Sequence, residues 1–374
     1  MFKKMIAIFI AMMLTRTCAG ALSAHNAVLI EQSSGRILME KDAHEKRPMA
    51  STTKIMTAIT ALEYGNLEDI VVISAKANNT EGSSMWLATG EKVTLEHLLY
   101  GLMLNSGNDA AVAIAEHVGG SVEGFAKLMN QTAEKIGAKN SNFTNPHGLD
   151  DANHFTTAYD LAIITRYAMQ NSKFAEIVAT KTKVVPWEGN SWGRTLNNHN
   201  KMLNLYVGAD GVKTGFTKRS GRCLVSSATR DGMQLIVVTL NASDDWNDHK
   251  AMLDFGFANF GIKTILRDGE YMKTVPVINA DDVRLAIIAE SDLSVALKTG
   301  DLKNVIIAYN CPQTVSAPII EGQILGEAVA TLNDTIIGQV NLVSRSDIAV
   351  NNKKKFSSSF CTITHALLGV FGSD

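Results

Sequence analysis

Apolar residues recur along this chain with two periods, and the period switches several times. Asn26 to Gln32 and Ile37 to Glu40 are apolar runs parted by Ser33-Ser34-Gly35-Arg36, a pattern that predicts a β-hairpin. From Ser51 to about Gly65 the spacing changes. Met56, Ile59, Leu62 and Tyr64 fit a helix that opens just after Pro48. Leu95 to Leu104 and Ala110 to Val118 predict two more helices, broken by Asn105-Ser106-Gly107-Asn108. Glu123 to Ile136 is amphipathic, and Thr157 to Met169 opens with a capping-box-like Thr157 and Asp160. Cys223 to Ala228 and Gln234 to Asn241 then return to strand character, joined by the turn Thr229-Arg230-Asp231-Gly232. Asp248 to Phe260 predicts a closing helix.

A helical block set between segments of one sheet is an α+β pattern. Beyond about Leu266 the pattern becomes short strands: Val275–Ile278, Arg284–Ala289, Val305–Tyr309, Gly326–Leu332 and Ile336–Leu342. Glycine and Asx turns part them, which predicts a small all-β domain over 266–350 after a first domain over 24–265.

Both ends carry a different signature. Lys3 and Lys4 precede an unbroken apolar run from Met5 to Leu14, and small residues follow at Ala19, Gly20, Ala21 and Ser23. Residues 1–23 therefore have the form of a secretory signal, too short to span a bilayer. At the far end Lys353, Lys354 and Lys355 lead into Phe356, Phe360, Ile363, Leu367, Val370 and Phe371, spaced for one helical face. Residues 351–374 are expected to form an amphipathic helix lying in the membrane interface, its lysines drawn to anionic headgroups.

Composition sharpens this picture. The 374 residues carry a formal charge of −2, from 35 basic and 37 acidic side chains. A nucleic-acid partner is not expected without a basic excess. The near-neutrality is an average. Without the signal the chain is at −5, made of a body at −7 and a tail at +2. Three cysteines survive processing, Cys223, Cys311 and Cys361, an odd count that predicts no disulfide framework. No CxxC or HExxH spacing occurs, so neither a metal nor another cofactor is expected.

Three short motifs carry candidate chemistry. Ser51-Thr52-Thr53-Lys54 sets a serine and a lysine on one face of a helix's first turn. Unpaired backbone N–H groups there can hold an oxyanion, and a lysine kept neutral by burial can act as base. Ser106-Gly107-Asn108 falls at the break between two helices, where a hydroxyl and an amide can face a cleft. Lys213-Thr214-Gly215 lies on or near a strand ahead of Cys223, where Lys and Thr offer donors to a carboxylate. Gly215 leaves room for close approach, and strand backbone can pair with an extended peptide. A second Lys-Thr-Gly, at Lys298-Thr299-Gly300, is read as a turn.

In this order the three motifs make the set of the penicillin-recognising serine enzymes. The surrounding text resembles the serine-type D-alanyl-D-alanine carboxypeptidases, the low-molecular-mass penicillin-binding proteins. The likeness rests on Pro48-Met49-Ala50, Leu104 to Ala111, Asn145-Pro146-His147-Gly148-Leu149 and Asp210 to Thr217, and it covers essentially the whole chain. It implies a β-lactamase/transpeptidase-like first domain. It also implies removal of the terminal D-alanine from peptidoglycan stem peptides ending in D-Ala-D-Ala, with β-lactams acylating the same serine.

On this resemblance Ser51 is the nucleophile and Lys54 its base, with Ser106 and Lys213 completing the proton network. Asn108 orients the substrate amide. Lys213 and Thr214 bind the terminal carboxylate beside Gly215, and the backbone N–H groups of Ser51 and Phe216 form the oxyanion hole. Family members often have His where this chain has Phe216. His147 and His154 are expected to be structural. A class A β-lactamase is disfavoured, because none of the five Leu-Asn pairs has Glu three residues before its leucine. A D,D-endopeptidase remains an alternative. A non-catalytic wall-binding protein would have no need of Lys54.

Overall fold

The computed structural model describes residues 22–280 and 283–350. The tail and most of the signal segment lie outside them. The chain divides into two compact units, 1–259 and 260–374.

In the first unit the elements in chain order are β1 (Asn26–Glu31), β2 (Ile37–Lys41), α1 (Lys54–Tyr64), β3 (Ile70–Val72), β4 (Lys92–Thr94), α2 (Leu95–Leu104) and α3 (Asn108–Gly119). There follow α4 (Val122–Ile136), α5 (Ala158–Met169), α6 (Ser172–Ala179), β5 (Thr182–Val185), β6 (Arg194–Asn197), β7 (Ala209–Thr217), β8 (Gly221–Arg230), β9 (Met233–Leu240) and α7 (Asp245–Asn259). The main sheet is antiparallel with strand order β2-β1-β9-β8-β7. This is the α+β arrangement expected. β1 is buried at every position, which explains its unbroken apolar run. Val28 and Ile30 join the core of the helical block, while α7 packs on β8 and β9. His249 of α7 is buried between the two strands, its Nδ1 2.5 Å from Ser226 Oγ and its Nε2 2.9 Å from Thr239 Oγ1.

Local signals work as the residues suggest. Thr157 Oγ1 accepts from Asp160 N at 2.9 Å and caps α5. The β8–β9 turn has Asp231 and Gly232 both at positive φ, the backbone of a tight two-residue hairpin. The helix expected from Ser51 begins as a 3-10 turn over Ala50–Thr53 and becomes α-helical at Lys54. Ser23 donates its N–H and hydroxyl to the Asp248 carboxylate at 2.9 and 2.8 Å.

The second unit is all-β. Its six-stranded sheet runs Val305–Asn310, Ile324–Leu332, Thr335–Ser344, Arg284–Ala289, Tyr271–Ile278, Val315–Ser316, and Gly261–Leu266 pairs separately with Leu293–Leu297. The strand at Gly261–Leu266 belongs to this unit. Lys298-Thr299-Gly300 forms a turn in it, with Gly300 at φ +93.

Candidate active site

The site gathers around Lys54. Its Nζ lies 3.0 Å from Ser51 Oγ, 2.7 Å from Asn108 Oδ1 and 2.7 Å from the His147 carbonyl. The lysine is fully buried. Burial pushes its pKa well below the ordinary lysine value, the charge of Lys213 adds to that, and Asp109 opposes it. Lys213 on β7 is buried too, which takes its own pKa down to about 7, and it donates to the Thr214 carbonyl at 3.0 Å. Two of the three motifs are thus joined by direct contacts, and the third faces them.

β7 is the last strand of the sheet, so one of its edges carries no paired strand among the described residues. It passes tightly beside the serine. A Cβ on Gly215 would stand 3.0 Å from the backbone nitrogens of Ser51 and Thr52 and 3.1 Å from the Met49 carbonyl. A side chain there would press on the turn that carries the serine, and glycine avoids it. Thr214 is half-buried and Phe216 is exposed at the strand's end.

Ser106 is buried and has φ +59, a left-handed turn between α2 and α3. Asn108 opens α3. Its N–H donates to the Ser83 carbonyl and its Nδ2 to the Glu81 carbonyl, at 2.7 and 2.6 Å. One Nδ2–H is left for another acceptor. The loop supplying those carbonyls is held by Asp109. That buried carboxylate accepts from Ser84 Oγ at 2.6 Å, from Ala110 N at 2.8 Å and from Met85 N and Leu87 N at 3.1 Å.

A second brace lies behind the serine. Ala50 carries φ +49, and its carbonyl accepts from Thr53 Oγ1 at 2.8 Å. His154 Nε2 lies 2.8 Å from that hydroxyl, while His154 Nδ1 accepts from Thr144 N at 3.1 Å. With Nδ1 an acceptor, the proton is on Nε2 and points at Thr53. Burial takes the His154 pKa down to about 4 despite Asp151 and Asp150. His147 Nδ1 accepts from Leu149 N at 3.1 Å, and burial, then the positive charges of Lys54 and His154, bring its pKa to about 3. Gly148 could not bear a side chain, since its Cβ would stand 1.9 Å from the Ala50 carbonyl oxygen. The Asn145–Leu149 stretch therefore buttresses the turn that presents Ser51.

Asp109, Thr53 and the loop 81–87 were not assigned roles from the sequence. Their partners are backbone groups, or side chains met only in the fold such as Ser84 and His154, which leave no residue-type signal. Among the described residues Cys223 and Cys311 are free thiols, and no cluster of metal-ligating side chains occurs.

The architecture is that of the transpeptidase-like serine enzymes, with an added all-β domain. Residues 13–244 match the family described as D-alanyl-D-alanine carboxypeptidase, and residues 260–350 match the penicillin-binding protein 5 C-terminal domain. The chain belongs to the D-alanyl-D-alanine carboxypeptidase family. It is similar to D-alanyl-D-alanine carboxypeptidase DacF of Bacillus subtilis, at 32% identity over 89% of this chain and 88% of that one. Carboxypeptidase DacC of Escherichia coli is 33% identical over 88% and 85% of the two chains. Among solved structures, penicillin binding protein 5 of Haemophilus influenzae superposes with a TM-score of 0.74 at 30% identity, over 88% of this chain and 98% of that one.

Proposed function

We propose that this chain is a serine D,D-carboxypeptidase that removes the terminal D-alanine from peptidoglycan stem pentapeptides through an acyl-enzyme on Ser51, and that β-lactams acylate the same residue. The observation that carries the reading is the set of three neighbours around Lys54 Nζ. A neutral amine has two N–H bonds and one lone pair. The Asn108 amide oxygen and the His147 carbonyl can only accept, so they take both N–H groups. The lone pair is then left facing the Ser51 hydroxyl, which is the geometry of a general base.

As Ser51 Oγ bonds to the penultimate D-alanine's carbonyl carbon, its proton passes to Lys54. Backbone N–H groups of Ser51 and Phe216 hold the oxyanion. The carbon–nitrogen bond then breaks, and the departing amine takes a proton relayed from Lys54 through Ser106. Water later cleaves the ester. The remaining Nδ2–H of Asn108 orients the substrate amide, and Lys213 with Thr214 holds the terminal carboxylate beside Gly215.

The test uses a fluorescent penicillin and a free pentapeptide. The wild-type chain should label and release one D-alanine per peptide, and Ser51→Ala should do neither. A wild-type chain that fails to label, or a labelled Ser51→Ala, sinks the assignment.

We further place the enzyme outside the cytoplasmic membrane, with residues 1–23 as its secretory signal and 351–374 as an interfacial anchor. The lysine-led amphipathic pattern supports this. Among the described residues no helix is long and apolar enough to cross a membrane. Truncation before Lys353 should move the protein from the membrane fraction to the soluble fraction; unchanged fractionation refutes the anchor.

A further inference from the structure

Two tryptophans stand out of the surface on segments tied to the site. Trp86 is 72% exposed and Trp192 is 65% exposed. Trp86 also holds φ +64, a left-handed backbone that a bulky residue rarely adopts. The strain is held by its neighbours. Asp109 clamps the N–H of Met85 on one side and of Leu87 on the other. The Trp86 N–H donates to Ser84 Oγ at 2.7 Å, and its carbonyl accepts from Arg194 Nη2 at 3.0 Å. The ring is thus displayed outward by a fixed loop.

Arg194 links this loop to the β5–β6 hairpin. It is buried in an ion pair with Glu91 at 3.0 Å, its guanidinium lies 4.7 Å from the Trp187 ring, and its Nε and Nη1 have no hydrogen-bond partner among the described residues. Trp192 is two residues away on the same hairpin. The Trp86 loop also borders the site. A Cβ on Gly107, between Ser106 and Asn108, would stand 3.3 Å from Met85 N. Glu81 and Ser83 on the first segment and Glu188, Asn190 and Ser191 on the second are exposed and polar.

Isolated flat indoles in a polar setting suit a ligand with one apolar face and a hydroxylated rim. A pyranose has that shape, with C–H bonds over the ring and hydroxyls reaching outward to carboxylates and amides.

Resting on the carboxypeptidase reading, we propose that Trp86 and Trp192 form a platform for the amino sugar that bears the stem peptide, so that the enzyme selects glycan-linked peptide over free peptide.

The test compares KM for a soluble disaccharide-pentapeptide and for the same free pentapeptide. Wild-type enzyme should favour the sugar-linked substrate. Trp86→Asn, which tolerates the left-handed backbone, and Trp192→Ala on the exposed hairpin should each cut that preference about tenfold. Fluorescent-penicillin labelling reports that each variant is folded. A wild type without preference, or two folded variants that keep it, overturns the proposal, as does a KM that rises equally for both substrates. A wild type that releases D-alanine from neither substrate defeats the carboxypeptidase reading itself, and this one with it.

Discussion

Asp109 offers the sharpest test of how the site is held. Replacing it with Asn keeps size and shape but turns one acceptor oxygen into a donor. The carboxylate receives Ser84 Oγ, Ala110 N, Met85 N and Leu87 N, all within 3.1 Å. Whichever way the new amide turns, at least one buried backbone N–H then faces another N–H. Each such unsatisfied group costs about 1–3 kcal/mol, so Asp109→Asn should lose about 2–5 kcal/mol by urea unfolding. That is a large share of a domain's usual 5–15 kcal/mol, yet the chain should still fold. The loop 81–87 carries the Ser83 and Glu81 carbonyls that anchor Asn108, and Asn108 in turn anchors Lys54. Acylation by a fluorescent penicillin should therefore slow about 10- to 100-fold. The sign of the pH effect is also set. Asp109 raises the Lys54 pKa against burial, so removing its charge lets the lysine lose its proton at lower pH. The acid limb of the acylation profile should move down. Unchanged stability, or an acid limb that moves up, refutes this account of Asp109.

Three other outcomes are expected. Lys54→Met should slow acylation about 10²- to 10⁴-fold while leaving the urea midpoint equal or higher, because a buried amine is replaced by an apolar chain of similar length; parallel loss of both would count against a base role. Gly215→Ala should cut acylation at least tenfold, since its Cβ would press on Ser51 N at 3.0 Å, and a fully active variant contradicts the close-approach argument. Burial holds the His249 pKa at about 3, so the folded state resists a proton that the unfolded chain accepts from about pH 6.5 downward. Stability should fall as pH drops from about 6.5 toward 3, and His249→Gln should flatten that slope by about 1.4 kcal/mol per pH unit, read from urea midpoints at several pH values.

What could be read from the sequence was whatever is encoded locally. The Thr157 cap, the Asp231-Gly232 turn and the helical stripes over α2 to α5 each follow from residues within a few positions of one another. The short strand pairs β3–β4 and β5–β6 were not legible, because three or four residues are too few to show an alternation. β7 gave only a weak signal, since its sequence buries Lys213 where an apolar residue would mark a core strand. In the site, residue types and order were enough to single out Ser51, Lys54, Asn108 and Gly215, which the fold brings together. Asp109, Thr53 and Arg194 escaped notice because their roles are set by which distant carbonyl or N–H they meet, as with Arg194 and the Trp86 carbonyl.

The strand order has a consequence for how the molecule comes into being. β1 lies between β2 and β9, with Asn26 opposite Leu240. A chain made from its N-terminus thus carries a strand, buried at every position in the fold, whose second partner is among the last parts of the domain to appear. Closing a contact over such a separation is slow and cooperative. Lys213 is on β7, which reaches β1 only through β8 and β9, so a chain that ends before β9 cannot set Lys213 beside Ser51 in this sheet. Competence to react with penicillin should then emerge in a single late step, which makes covalent labelling a reporter of completed folding as much as of catalysis.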